Sequence, residues 1–388
     1  VGMNTKYSDI ASLVTTGESF GELAVIEDAA MVVEDGKVLW LGPAAAAPET
    51  DEVVSLGGGC VIPGFVDSHA HLMFASERSE EFAHRMAGKP YSSGGIKTTV
   101  QATRAARNQE LRENARRLVA ELHASGVTHF EIKSGYGLDV ETEARSLEVA
   151  REFTEDVTFL GAHVVPAGIE REQYLSLVTG EMLDEAKKHA KWIDVFCDRG
   201  AFSVEESREV LEAGIAAGLR PRMHSNQLEN LGGVQLAVEL DCASVDHCTF
   251  MDPEDIAALA GSNTVATLVP GAEFSTRSPY PDARRLVSAG VIVAIATDCN
   301  PGSSFTTSMP FCIAVAVREM GLTPDQALWA ATRGGAMALR NQKGKLAVGS
   351  NADFAVLDAP NHIYLAYRPG VQLVSQTYVG GERVFERR

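Results

Sequence analysis

Long hydrophobic runs are missing from this 388-residue sequence. No stretch approaches the ~20 consecutive apolar residues of a spanning helix, and segments such as 291–296 are among the longest, which argues against a helical membrane protein. Positive charge is scarce as well. Lys and Arg number 34 against 52 Asp and Glu, a net charge of −18, and so acidic a surface repels phosphate backbones and anionic lipid headgroups. Nucleic-acid and membrane-surface roles are thereby disfavoured. Cysteine is sparse: Cys60, Cys197, Cys242, Cys248, Cys299 and Cys312 are scattered without a CxxC pair, so neither a disulfide framework nor a thiolate metal knuckle is indicated. They read as small buried residues of a reducing compartment. No basic segment followed by an apolar one opens the chain, no internal repeat is visible, and low complexity is confined to the alanines at 44–47. The expectation is a cytoplasmic protein.

Apolar side chains are plentiful. With 45% hydrophobic and 22% charged residues the chain can bury a large core, and its length suits two domains or one large α/β barrel with attachments. Both ends have the texture of β-structure. The segments 30–34 and 37–42 flank Asp35-Gly36, a dipeptide suited to the positive φ of a tight hairpin, and strand patterns return at 353–358, 371–379 and 383–385, the last two separated by Gly380-Gly381. Neither end has enough apolar surface to stand alone. The expectation is one small β-sandwich built from both termini, residues 1–60 and 345–388.

Between them, from 61 to 344, apolar strands alternate with amphipathic helical patterns, the signature of parallel βαβ units. Eight strand candidates lie at 60–69, 126–135, 157–163, 192–198, 219–225, 243–248, 264–270 and 291–298, which predicts a (β/α)8 TIM-like barrel. Helix starts are marked by Ser203 with Glu206, by Asp252-Pro253, and by Thr323-Pro324 with Gln326. A further helix is expected across 98–125, ending at Gly126.

The polar residues fall at strand ends. His69 and His71 close the first strand two positions apart, so both point to one face. His163 ends the third strand, His224 the fifth, His247 the sixth and Asp298 the eighth. In a barrel the carboxyl ends of all strands meet on one rim. One such histidine is ordinarily a hydrogen-bonded structural residue, but five with an aspartate at equivalent ends call for a shared purpose. His84, His123, His129, His189 and His362 lack that placement and read as structural. Neutral imidazoles with a carboxylate suit zinc or iron, and the expected ligand set is His69, His71, His224 and Asp298. A bound ion with an open position lowers the pKa of water towards ~7. Asp298 can then serve as general base, and His247 can donate to a substrate oxyanion.

The segments PGFVDSHAH (63–71), His224, Asp246-His247, Asp298 and GKLAVGSNADFAVLD (344–358) together resemble the metal-dependent amidohydrolase superfamily over nearly the whole chain. The segments at 75–82, 94–106, 131–138, 159–166 and 297–304 are most similar to the branch that opens a cyclic amide in histidine degradation. The resemblance implies hydrolysis of 4-imidazolone-5-propanoate to N-formimidoyl-L-glutamate. It implies one zinc or iron (Fe2+ or Fe3+) per subunit, a small anionic heterocyclic substrate and a homodimer. By motif it places Arg78, Tyr136 and His163 against the substrate, with Asn300, Gly302 and Ser303 towards its propionate. A guanidinium fork suits a carboxylate. One departure stands out: Gln227 occupies the position, three after His224, where many members carry Glu. Gln cannot shuttle protons, though it can hydrogen-bond a ring amide. It counts against the alternative of a purine or pyrimidine deaminase, which uses that Glu on the leaving amine, and the proton work falls to Asp298. The fourth strand offers no Lys or Glu to bridge two ions, so one ion is expected.

Overall fold

Alternating apolar and polar residues near the amino terminus produce four strands: β1 (Asn4–Thr16), β2 (Leu23–Glu34), β3 (Lys37–Pro43) and β4 (Glu52–Pro63). The computed structural model describes residues 3–88 and 94–388. As expected, Asp35 and Gly36 take φ of 49° and 74°, turning β2 into β3 with Glu34 paired to Lys37, a backbone that most side chains resist.

The middle of the chain contributes β5 (Phe65–Asp67), β6 (Val127–Phe130), β7 (Ile132–Lys133), β8 (Val157–Ala162), β9 (Trp192–Cys197), β10 (Arg220–Pro221), β11 (Met223–Ser225), β12 (Ser244–His247), β13 (Val265–Leu268) and β14 (Val293–Ile295). Their pairings are all parallel. The sheet from β7 to β14 curves as half a barrel, with β5 and β6 paired beside it. Two amides extend the ladder past β5: Glu131 N donates to Asp67 O and Lys133 N to Ala70 O, each at 2.9 Å. On its other side Asp298 N donates to His69 O and His71 N to Cys299 O, also at 2.9 Å. Leu118, Leu122, Leu147, Val210, Leu211, Leu286 and Ile313 of the surrounding helices fill the space against the strands.

β15 (Phe354–Leu357), β16 (Val374–Val379) and β17 (Glu382–Glu386) return to the amino-terminal strands. Both termini therefore share a β-rich layer, but it is one continuous seven-stranded sheet ordered β17-β16-β15-β4-β1-β2-β3 rather than two stacked sheets. Bulges where β1 meets β2 and β4 bend it around its own apolar cluster, which includes Tyr7, Leu13, Met31, Val61, Phe354 and Tyr378.

Two local expectations are corrected. The run 60–69 is not one strand. Its first residues belong to β4, paired with β15, and the chain leaves that sheet at Gly64, where a Cβ would lie 2.2 Å from the Thr128 side chain. The helical stretch 98–125 is two helices, Gly94–Ala105 and Asn108–Ala124. Arg107 is extended between them, and Glu110 reaches back to accept from Arg107 N at 2.7 Å, a capping arrangement that starts a new helix. The Ser203, Asp252 and Thr323 caps form as expected. Among the described residues no helix is long and apolar enough to cross a membrane.

Candidate metal and substrate site

Directly after β5 the chain carries His69 and His71, buried at 0% and 3% exposure, with their Nε2 atoms 3.2 Å apart. β11 brings His224 Nε2 to 3.3 Å from His71 Nε2. The segment after β14 brings Asp298 Oδ1 to 3.4 Å from His69 Nε2 and 3.3 Å from His71 Nε2. Metal–nitrogen bonds of ~2.0–2.1 Å in a tetrahedron separate the ligand atoms by about 1.63 bond lengths, or ~3.3–3.4 Å. The observed separations have that size. Asp298 Oδ2 is buried without a hydrogen-bond partner among the described residues, which leaves a carboxylate oxygen with capacity to spare. His69, His71, His224 and Asp298 can therefore hold a metal ion, and His247 stands beside them, its Nε2 3.9 Å from Asp298 Oδ2.

A second layer fixes the imidazoles. His69 Nδ1 is 2.7 Å from Asp246 Oδ2, and His224 Nδ1 is 3.0 Å from Asp194 Oδ2. A carboxylate at Nδ1 leaves Nε2 turned to the centre. Beneath lie two fully buried cations. Lys133 Nζ meets Glu131 at 2.7 Å and Asp194 at 2.8 Å, while Arg222 Nη2 reaches Ser68 O at 2.6 Å, Ser244 Oγ at 3.0 Å and Asp246 at 3.3 Å. Three carboxylates thus face two cations, a surplus of one negative charge that suits a cation above. Burial opposes ionisation of Asp246, but Arg222 and His69 outweigh it and hold the carboxyl well below its usual range.

Burial lowers the pKa of His71 to about 4 even against Asp298. It lowers His247 to about 3, and, with His71 and His224 nearby, His163 to about 3. These rings are neutral near pH 7, as a ligand or neutral donor must be. His69 differs: burial and Lys133 work against its proton, but Asp246 and Asp298 raise it to about 9, a proton that a bound cation would displace. Strain collects here too, with His247, Cys248 and Asp298 at φ of 87°, 58° and 49°, at about 1–3 kcal/mol per residue.

The other expected residues line the same rim to differing degrees. His163 stacks on His71 with centroids 5.6 Å apart, and the Tyr136 ring lies 5.4 Å from His163. Arg78 is 8% exposed, and its Nε and Nη2 engage Glu81 at 2.8 and 2.7 Å. Its Nη1 lies against Gly302, where an added Cβ would come within 2.3 Å. Asn300 is committed to its own loop: its Oδ1 accepts from Gly302 N and Ser303 N at 2.8 Å, and its Nδ2 donates to Asp298 O at 2.7 Å. Gln227 is half-buried; its backbone N donates to Asp198 at 2.8 Å.

Asp194, Glu131, Lys133 and Arg222 escaped the sequence reading. For Glu131, Lys133 and Arg222 the signal was the spacing of polar residues two apart within the strands, 131 with 133 and 222 with 224; Asp194, between Trp192 and Phe196, carried none. Of the remaining histidines, His123 meets Val127 O, His129 meets Asp156 and His362 meets Asp325. All six cysteines are buried and unpaired.

Known proteins match this architecture. Residues 60–384 fit the family model described as the amidohydrolase family. The imidazolonepropionase of Mycolicibacterium smegmatis is 60% identical over 385 residues, covering 98% of this chain and 97% of that protein. That of Salinispora tropica is 58% identical over 379 residues, covering 96% and 97%. In fold, the chain resembles the crystal structure of a mutant atrazine chlorohydrolase of Arthrobacter aurescens complexed with zinc and atraton: TM-score 0.74, 16% identity, covering 98% of this chain and 95% of that one.

Proposed function

The chain belongs to the imidazolonepropionases of the amidohydrolase family, and on that premise we propose that it hydrolyses the ring amide of 4-imidazolone-5-propanoate to N-formimidoyl-L-glutamate. The observation that carries the mechanism is the cluster in which His71 Nε2 lies 3.2 Å from His69 Nε2, 3.3 Å from His224 Nε2 and 3.3 Å from Asp298 Oδ1, with Asp298 Oδ1 also 3.4 Å from His69 Nε2. His69, His71, His224 and Asp298 would hold one zinc or iron ion. When bound, such an ion supplies Lewis acidity and acidifies a water at neutral pH.

The chain's own residues do the rest. Asp298 Oδ2, without a partner among the described residues, takes a proton from the attacking water, whose oxygen bonds to the ring carbonyl carbon. As the C–N bond breaks, Asp298 returns that proton to the departing ring nitrogen. His247, held neutral by burial, donates to the developing oxyanion. Tyr136, His163 and Gln227 orient the ring. Arg78, against which Gly302 of the Asn300-Gly302-Ser303 loop packs, faces the propionate. The absence of an acid at Gln227 confines proton transfer to Asp298, which is why ring opening is preferred to deamination.

The backbone bonds on both sides of β5 support closure of the eight parallel strands into a (β/α)8 barrel, with the sheet of both termini as a separate domain, residues 1–60 and 345–388 against 61–344. We place the enzyme in the cytoplasm, where six unpaired thiols are stable, as a homodimer. The test is to supply imidazolone propionate generated from urocanate by urocanase. Formimidoyl glutamate should accumulate as the substrate disappears, and its absence with metal-loaded protein would refute the reading.

A further inference from the structure

Beside the metal-facing histidines, the loop after β7 runs through Gly135, Tyr136, Gly137 and Leu138. Among the described residues its Gly135, Gly137 and Leu138 amides pair with no strand. A single carboxylate takes them: Glu143, wholly buried in the helix Val140–Ala150, accepts from Gly135 N at 3.1 Å through both oxygens, from Gly137 N at 2.8 Å and from Leu138 N at 3.0 Å. The loop's carbonyls are held from the other side. Arg104 Nε donates to Gly137 O at 2.7 Å and its Nη2 to Leu138 O at 3.0 Å. Gly135 O accepts from His163 Nδ1 at 2.8 Å. That bond fixes the tautomer and leaves Nε2 of His163 as an acceptor.

Two glycines make this geometry possible. Gly135 has a φ of 111°, and a Cβ there would lie 3.0 Å from His163 Nδ1. A Cβ on Gly137 would lie 2.8 Å from Glu143 N. Burial pushes the Glu143 carboxyl up, and the backbone N–H groups of Gly135, Gly137 and Leu138 work against that by favouring its charged form; the residues it aligns are Tyr136 and His163.

We propose that Glu143 is a positioning residue: by gathering the Gly135, Gly137 and Leu138 amides it sets the loop that presents Tyr136 to the substrate and, through Gly135 O, the tautomer of His163. Its effect on turnover rests on the reading of Tyr136 and His163 as substrate contacts.

The test compares Glu143→Gln with the wild type, both metal-loaded. An amide offers one acceptor oxygen and turns N–H groups towards N–H groups. Backbone hydrogen exchange at Gly135, Gly137 and Leu138 should quicken about 10-fold or more, the loss expected of charge-assisted bonds. KM for imidazolone propionate should rise by a similar factor, with metal content unchanged and kcat less affected. Tyr136→Phe added to Glu143→Gln should cost less than the two separate losses multiplied, because part of the effect of Glu143 passes through the Tyr136 ring. Unaltered exchange, an unaltered KM, or additive losses in the double variant would overturn the proposal. Should Glu143→Gln fail to fold, Arg104→Met loosens the same loop from a half-exposed position and should shift exchange and KM in the same direction; no shift in either counts against the proposal. A wild type without activity on the substrate would refute the functional reading alone, and hydrogen exchange would then decide whether the clamp exists.

Discussion

Asp246 Oδ2 lies 2.7 Å from His69 Nδ1 and 3.3 Å from Arg222 Nη2, so one imidazole of the candidate metal site is braced through a carboxylate by a fully buried guanidinium. A ligand ring held this way needs no reorganisation when an ion arrives, and its Nε2 is more basic for the carboxylate behind it. Asp246→Asn should accordingly weaken zinc binding by about 10–100-fold, measured by competition with a chromogenic chelator. Unchanged affinity would show that Asp246 does not support the ligand.

The lower layer makes a different prediction. Lys133 sits between Glu131 and Asp194 with no exposure on any of the three side chains. Replacing Lys133 with Met strands two buried carboxylates, at a cost of about 3–5 kcal/mol in stability. Arg112, paired with Glu152 on the surface, provides the control, since exposed pairs contribute about 0–1 kcal/mol. Urea denaturation of Lys133→Met and Arg112→Met should separate them clearly, and equal midpoints would contradict the account of the buried network.

The contrast between these layers also explains what the sequence revealed. His69, His71, His224, His247 and Asp298 were legible because each closes an apolar run, and parallel strands bring such ends together. Glu131, Lys133, Asp194 and Arg222 sit inside the runs, where an isolated charge looks like a surface position. Only the pairing of strands distant in sequence reveals that each charge has a buried counterpart. Arg78 illustrates another limit. Its type and spacing suggested a fork open to a carboxylate, but the Glu81 side chain three residues on already takes two of its nitrogens. The split at Gly64 was invisible for a related reason, since the apolar pattern runs on unbroken from one sheet into the other.

Asp298 combines an Oδ1 that lies 3.3 Å from His71 Nε2 with an Oδ2 that is unpartnered among the described residues. Asp298→Asn keeps the volume and removes the base, so kcat should fall by about 10²–10⁴-fold while far-ultraviolet circular dichroism is unchanged. Turnover within a few-fold of wild type would remove Asp298 from the proton path.

For Arg78 the expectation concerns binding. Arg78→Met should raise KM by the equivalent of about 1.5–3 kcal/mol, as for a hydrogen bond to a charged group, with kcat less affected. Gly302→Ala should move KM the same way, because its Cβ would come within 2.3 Å of Arg78 Nη1 and displace the guanidinium. Steady-state kinetics on both variants at equal metal content provide the check; a normal KM in both would exclude Arg78 from the substrate site.

Glu273 supplies a pH dependence of stability. Burial raises its carboxyl to about 8, although Thr249 donates to it at 2.6 Å, whereas in the unfolded chain it titrates near ~4.3. Between those values the folded state holds a proton that the unfolded state has released, so stability falls as pH rises through that window. Below the lower value the acid is neutral in both states and costs nothing. Above about 8 the folded protein must carry a buried charge. Glu273→Gln keeps an acceptor for Thr249 without that charge. It should therefore match the wild type near pH 4.5 and become progressively more stable than it by pH 8.5, by a few kcal/mol at about 1.4 kcal/mol per pH unit. Urea midpoints of the two proteins across this range are the measurement. Parallel curves would mean that the carboxyl is not protonated in the folded state.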